Sequence, residues 1–368
     1  MRIGVPKEVK VHEYRVGLTP DTVAELVRRG HEVIVEAEAG AAIGFDDLAY
    51  ARAGARIEGS ASRVFREVDL VIKVKEPQLF ECDWLSEDQT LFTYLHLAAD
   101  PDQARALQRS SATCIAYETV TEIDGGLPLL RPMSEVAGRM SVQVGAYFLQ
   151  KPNGGRGTLL GGVPGVEKAR VTILGAGVAG QHAAQMALGL RADVALYDIS
   201  ADRLAQVDRD FGGAVATRFA SQTAVETAVL ESDLVIGAVL VPGKTAPKLV
   251  TQSMVANMKP GAVLVDIAID QGGCFETSRP TTHEAPTFEV DGVVHYCVAN
   301  MPGAVPRTST LALNNATAPY VLALADKGVR VALSDDPHLM AGLNVDRGEL
   351  RHPGVAASLD AGPIPAHA

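Results

Sequence analysis

Gly175, Gly177 and Gly180 stand at G-x-G-x-x-G spacing directly after an apolar run that includes Val171, Ile173 and Leu174, and an alanine-rich stretch follows at once. In a strand, turn and helix of that order the first glycine allows a tight turn. The second lets backbone approach a pyrophosphate, and the third lets helix and strand pack closely, with free N–H groups at the helix start holding the phosphates. Val178 and Ala179 lie between the second and third glycines. A second strand, residues 193–197, ends at Asp198, which is 18 residues after Gly180 and 23 after Gly175. A carboxylate there accepts hydrogen bonds from the adenosine ribose hydroxyls and repels a 2′-phosphate, so the chemistry is dinucleotide binding with NAD favoured over NADP. Arg203, five residues further on, is placed to answer a 2′-phosphate, although packing on adenine or facing solvent is its more ordinary role.

A second set of residues falls at the expected carboxyl ends of strands, where open parallel sheets bind ligands. Arg15 follows the first strand, Lys75 ends the run DLVIKVK, His96 nearly ends TLFTYLHL, and Asp270 ends AVLVDIAID. Taken singly, each has an unremarkable reading: a solvated loop arginine, a lysine after a strand, a structural histidine, a helix-capping aspartate. Together, two cations can hold a carboxylate by charge-assisted hydrogen bonds, and the histidine can exchange a proton near neutral pH. The aspartate lies on the cofactor side. The chemistry implied is hydride transfer to or from a small anionic substrate.

The elements that must position these residues alternate along the chain. Strand-like stretches are expected at residues 2–5, 31–36, 69–75, 90–97, 113–117, 171–174, 193–197, 233–240 and 262–270, with alternation placing Phe92, Tyr94 and His96 on one face. Helices are expected from Pro20, capped by the Thr19 hydroxyl, and at 47–52, 61–67, 101–109 and 134–150. Residues 271–310 read as loop-rich, and a long helix returns after Thr310 with a destination that periodicity does not give. Strands alternating with helices imply parallel sheets in an α/β fold.

With 368 residues, 47% hydrophobic and 21% charged, the chain has the composition of an ordinary globular protein of two domains. Its net charge of −11 and lack of a basic block argue against nucleic acid as a partner. The longest apolar run, broken at Pro242, is far too short to cross a bilayer, and the opening MRIGVPKEVK lacks a signal-peptide core; a cytoplasmic location with no membrane partner is expected. Cys82, Cys114, Cys274 and Cys297 are scattered without metal-ligand spacing and read as reduced structural thiols; no metal site is expected.

The segments GVPKEVKVHEYRVGLTP, GAGVAG, DLVIGAVLVPG, VLVDIAIDQGG and VANMPGAVPRTST, in that order over nearly the whole chain, resemble the alanine dehydrogenase family. The NAD(H)-binding subunit of proton-translocating transhydrogenase is related, as are, more distantly, saccharopine-type dehydrogenases. The resemblance implies reversible NAD-dependent oxidative deamination of L-alanine to pyruvate and ammonium. It also implies two doubly wound domains, with a Rossmann NAD domain (129–306) inserted into a discontinuous substrate domain (1–128 and 307–368). By the same carry-over Arg15 and Lys75 hold the substrate carboxylate, Tyr94 and Met133 bound its methyl pocket, and His96 and Asp270 are catalytic. The cofactor would be contacted at Ser134, Val178, Asp198, Arg203, Val239, Leu240, Ile267, Asp270, Asn300 and Met301, and the assembly would be a homohexamer. Arg203 stands where the family often has lysine, and Ala220, followed by Ser221, where it often has serine. A non-catalytic NAD(H)-binding module like the transhydrogenase subunit is the alternative reading.

Overall fold

The computed structural model describes residues 1–239 and 246–360; Leu240 and the closing PIPAHA lie outside them. Six strands open the chain, β1 (Arg2–Val5), β2 (Glu32–Glu36), β3 (Arg56–Glu58), β4 (Leu70–Ile72), β5 (Thr90–Thr93) and β6 (Thr113–Ala116). Seven follow: β7 (Arg170–Leu174), β8 (Asp193–Asp198), β9 (Ala216–Phe219), β10 (Leu234–Gly237), β11 (Val263–Asp266), β12 (Thr287–Val290) and β13 (Val293–Tyr296). The last two are β14 (Leu343–Asp346) and β15 (Glu349–Leu350). The fold is α/β and forms two compact units, Met1–Met133 with the described part of Val305–Ala368, and Ser134–Ala304.

In the first unit the strand order is β15-β14-β6-β5-β4-β1-β2-β3, and in the second β12-β13-β11-β10-β7-β8-β9. Strands β1 to β6 are mutually parallel, and only β14 and β15 run against their neighbours. In the second unit β12 alone is antiparallel. Counting parallel strands within each unit, both sheets therefore have the doubly wound order 3-2-1-4-5-6, whose reversal beside strand 1 opens a crevice at the carboxyl ends. All four residues of β10 and of β11 are buried, as central strands covered by helices on both faces require, and this is why they read as unbroken apolar runs.

The helix Pro306–Lys327 belongs to the first unit because its polar side chains complete that unit's backbone bonding. Asn314 Oδ1 accepts from the Thr19 N–H at 3.0 Å, Asn314 Nδ2 donates to Thr22 Oγ1 at 2.8 Å, and Thr310 Oγ1 accepts from the Val16 N–H at 3.3 Å. Thr19 does sit at the N-cap of the helix Pro20–Arg28, but its hydroxyl makes no capping bond.

Several element boundaries differ from the sequence expectation. The strand expected to end at Lys75 stops at Ile72, the one expected to carry His96 stops at Thr93, and the one expected to end at Asp270 stops at Asp266. Short β3 was not expected, and the loop-rich stretch contains the β12–β13 hairpin. All four cysteines are buried and free of disulfides, and burial pushes the thiols of Cys82 and Cys297 up to about 12.

Candidate active site

In the second unit the carboxyl ends of β8, β7, β10 and β11 stand side by side, since Leu174 pairs with Tyr197 and Gly237, and Gly237 with Asp266. Gly175, Val239 and Ile267 therefore emerge from adjacent strands along one edge. The three glycines behave differently. Gly175 has φ +108, and a Cβ there would lie 2.7 Å from Ala238 O; a Cβ on Gly180 would lie 1.9 Å from Gly175 O. On Gly177 a Cβ would meet nothing within 4 Å, so the open space of the turn lies at the second glycine, where a pyrophosphate must approach. Gly177 is the N-cap of the helix Val178–Gly189 and supplies no side-chain cap, so the first-turn N–H groups, with Val178 and Ala179, suit an anion.

Asp198 is nearly buried and holds this turn to the end of β8: Oδ2 accepts from the Ala176 N–H at 2.7 Å and Oδ1 from the Ser200 N–H at 2.8 Å. Each carboxylate oxygen has a further lone pair for a ribose hydroxyl. Arg203 is exposed on the next helix, Ala201–Phe211. Ser221 is already used, its hydroxyl accepting from the Ala224 N–H as an N-cap, so it is no simple replacement for the family serine absent at Ala220. Ser134 lies in the first turn of the helix Arg131–Phe148, which packs backbone to backbone on the glycine-turn helix: a Cβ on Gly138 would lie 2.2 Å from Ala179 O. Asn300, at φ +63, accepts from His283 Nε2 through its carbonyl at 3.1 Å, and Met301 is buried beside it. These features fit NAD, for which Gly175, Gly177, Gly180 and Asp198 would supply the cradle.

Asp270 is not at a strand end but exposed in the 3-10 turn Ile267–Gln271, one turn beyond β11. The aspartate that does end β11, Asp266, is fully buried and organises the segment by accepting from the N–H groups of Ala268 and Cys274. Burial raises its pKa, although the hydrogen bonds of Ser278 and Cys274 oppose the rise.

The first unit brings together Arg15, Tyr94, His96 and Met133. Arg15 is buried, with Nη1 3.1 Å from Met133 Sδ. Glu13 grips it bidentately, through Nε at 2.7 Å and Nη2 at 2.5 Å. Burial disfavours the guanidinium charge, but Glu13 outweighs this and holds the pKa above the usual arginine value. Tyr94 donates to Leu129 O at 2.6 Å, and burial pushes its hydroxyl above the phenol range, so it stays protonated. The rings of Tyr94 and His96 stack 5.8 Å apart with planes 7° from parallel, so the two side chains share a face although β5 has ended. His96 is 43% exposed at φ +52, a conformation held by Glu118, which accepts from the Leu95 N–H and, at 2.6 Å, from the His96 N–H. Lys75 is half-buried in the turn after β4, where Glu8 Oε1 accepts from the N–H groups of Val74 and Lys75 at 2.7 and 3.2 Å.

Sequence reasoning missed the acids behind these cations. Glu8 and Glu13 were visible in KEVKVHEYR but read as part of a solvated loop; both are buried. Lys73, taken as one residue of an apolar strand, is fully buried between Glu8 Oε2 at 3.2 Å and Glu81 Oε1 at 3.0 Å. A lysine inside an apolar run was the available signal, because a buried ammonium needs carboxylate partners.

Residues 4–137 match the family described as "Alanine dehydrogenase/PNT, N-terminal domain", and residues 141–353 the one described as "Alanine dehydrogenase/PNT, C-terminal domain". Alanine dehydrogenase of Halomonas elongata is 61% identical over 356 residues, covering 97% of this chain and 96% of that protein. The Mycolicibacterium smegmatis alanine dehydrogenase is 57% identical over 360 residues, 98% and 97% of the two chains. Among solved structures, an L-alanine dehydrogenase superposes with a TM-score of 0.95 at 53% identity over 98% of this chain and 99% of its own. A transhydrogenase from Sinorhizobium meliloti gives 0.82 at 25% identity over 96% and 99%. With both domain families matched in order over most of its length and relatives more than half identical end to end, the chain belongs to the alanine dehydrogenase/PNT family.

Proposed function

We propose that this protein is an NAD-dependent L-alanine dehydrogenase that interconverts L-alanine with pyruvate and ammonium. The observation that carries the reading is the grouping of Arg15, Tyr94, His96 and Met133 in one unit of a chain whose other unit has the glycine cradle and Asp198. NAD, when bound, supplies the hydride acceptor for alanine Cα. Arg15, oriented by Glu13, and Lys75, on the turn fixed by Glu8, hold the substrate carboxylate by charge-assisted bonds. Tyr94 and Met133 bound the pocket for the methyl side chain, as the family resemblance implies. Water adds to the iminium carbon, and the carbinolamine collapses to pyruvate and ammonia. His96 exchanges the proton on the substrate oxygen and Asp270 serves the amine or the attacking water.

The competing reading is a non-catalytic NAD(H)-binding module. It is disfavoured by the weaker likeness to the transhydrogenase, 25% identity against 61% for a named alanine dehydrogenase. Among the described residues no helix is long and apolar enough to cross a membrane. Assembly as a homohexamer rests on family resemblance, and a cytoplasmic location on the short apolar runs and the opening residues of the sequence. The test is the reverse reaction: NADH consumption by the purified protein should require both pyruvate and ammonium. NADH binding without such consumption would favour the module.

A further inference from the structure

The segment that follows β11 carries Ile267 and Asp270 but contains only one 3-10 turn, and two of its residues, Gly272 at φ +86 and Gly273 at φ +73, occupy the left-handed region. Two backbone bonds close it, from the Gly272 N–H to Ile269 O at 2.9 Å and from the Gly273 N–H to Ala268 O at 3.0 Å. The closed turn is then held from two sides. The buried Asp266 carboxylate takes the donors: the N–H of Ala268 at 3.1 Å, the N–H of Cys274 at 2.9 Å and the Ser278 hydroxyl at 2.5 Å. The Lys248 ammonium takes the acceptors, donating to the carbonyls of Gly272 at 2.6 Å, Gly273 at 2.9 Å and Phe275 at 3.2 Å. An ammonium has three N–H donors, and this one directs all three at carbonyls of the four residues that follow the 3-10 turn. Backbone bonds from Ala246 to Gln271 O and from Leu249 to Cys274 O, 3.0 and 2.8 Å, tie the lysine's own strand of chain to the same turn.

We infer that Lys248 is a positioning residue which, opposite Asp266, clamps the turn carrying Asp270 and so sets the aim of that carboxylate. The clamped groups flank it closely, Ala268 two residues before and Gly272 two residues after. Lys248 itself touches no reacting atom. The inference rests on the assignment of Asp270 as a proton-transfer group.

The test compares Lys248→Met, Lys248→Arg, Asp270→Asn and the Lys248→Met/Asp270→Asn double variant by kcat, KM for alanine, NAD affinity, and amide hydrogen exchange across residues 268–274. In Lys248→Met kcat should fall by roughly 10–100-fold, the scale of a displacement near 1 Å at the chemistry, while NAD affinity, to which the glycine turn and Asp198 contribute most and Ile267 and Asp270 less, should fall by much less. Lys248→Arg should recover most of the loss, and Lys248→Met should cost nothing further in the Asp270→Asn background. Unchanged kcat in Lys248→Met, or an equal loss with and without Asp270, overturns the inference. If Asp270→Asn itself keeps full turnover, the Asp270 assignment fails separately. The clamp is then decided by exchange: faster in Lys248→Met supports it, unchanged overturns it. Should Lys248→Met not fold, Lys248→Gln, which keeps two N–H donors but not the third or the charge, replaces it: a smaller loss of kcat, absent in the Asp270→Asn background, supports the clamp, and unchanged kcat and exchange overturn it.

Discussion

At the scale of residues, His96 and Asp270 share an exposed setting on short turns just beyond a strand, the arrangement that leaves a proton-transfer group accessible while a rigid sheet fixes its base. Changing His96→Ala or Asp270→Asn should each lower turnover by roughly 10²–10⁴-fold with folding intact. Full activity in the His96 variant would return that residue to a structural role. Asp198 makes a claim about selectivity. Asp198→Gly should bind NAD less well and NADP better, with Arg203 left to meet the phosphate, so the ratio of kcat/KM for the two cofactors should collapse. Because Asp198 also holds the amides of Ala176 and Ser200, the variant should lose some order in the glycine turn as well. Equal use of both cofactors by the wild type would refute the assignment. Glycines, strand and acid were legible in the sequence because they lie within thirty residues of one another. The Glu8–Lys73–Glu81 group was not, because Glu8 and Lys73 are joined only by the pairing of distant strands.

At the scale of elements, the glycine turn separates two kinds of constraint that the motif alone conflates. Gly177→Ala should fold normally, since a Cβ there meets nothing, yet bind NAD less well because the methyl occupies the approach of the pyrophosphate. Gly180→Ala should instead lose stability by about 1–3 kcal/mol or more, because its methyl overlaps the backbone of Gly175. Thermal unfolding and NAD titration of the two variants distinguish these outcomes, and the reverse order would contradict the packing described.

Strand β14 depends on a charge. Asp346 accepts from both Nη atoms of Arg330, at 3.0 and 2.9 Å, and from Thr113 of β6, and these bonds, with Arg330 first, hold its carboxyl below the usual aspartate range. A depressed folded pKa contributes stability above the unfolded value of about 3.9 and loses it as pH falls through the folded value. Asp346→Asn should thus be less stable than wild type at neutral pH. With Arg330 half-exposed and screened, the difference should be only about 0.5–1 kcal/mol, closing below about pH 4 in urea unfolding. A gap that persists in acid would contradict this. The β12–β13 hairpin was readable but unread: Asp291-Gly292, both at positive φ, is the type I′ turn signal between two short strands. The three residues of β3 are too few for any periodicity to reveal.

At the scale of the whole molecule, both sheets were foreseen from the alternation of strands and helices, whereas the return of the helix Pro306–Lys327 to the first unit was implied only by family resemblance. Periodicity shows which face of a helix is apolar and not which sheet it covers; Asn314 and Thr310, bonded to the backbone near β1, decide that. The central claim is catalytic: a chain with this cradle and this set of cations oxidises L-alanine. Purified protein given L-alanine and NAD at alkaline pH should generate NADH, detected by its absorbance, at a rate that rises with pH because the reacting amine must be unprotonated. Failure to form NADH from L-alanine while NAD binding remains intact would contradict the account.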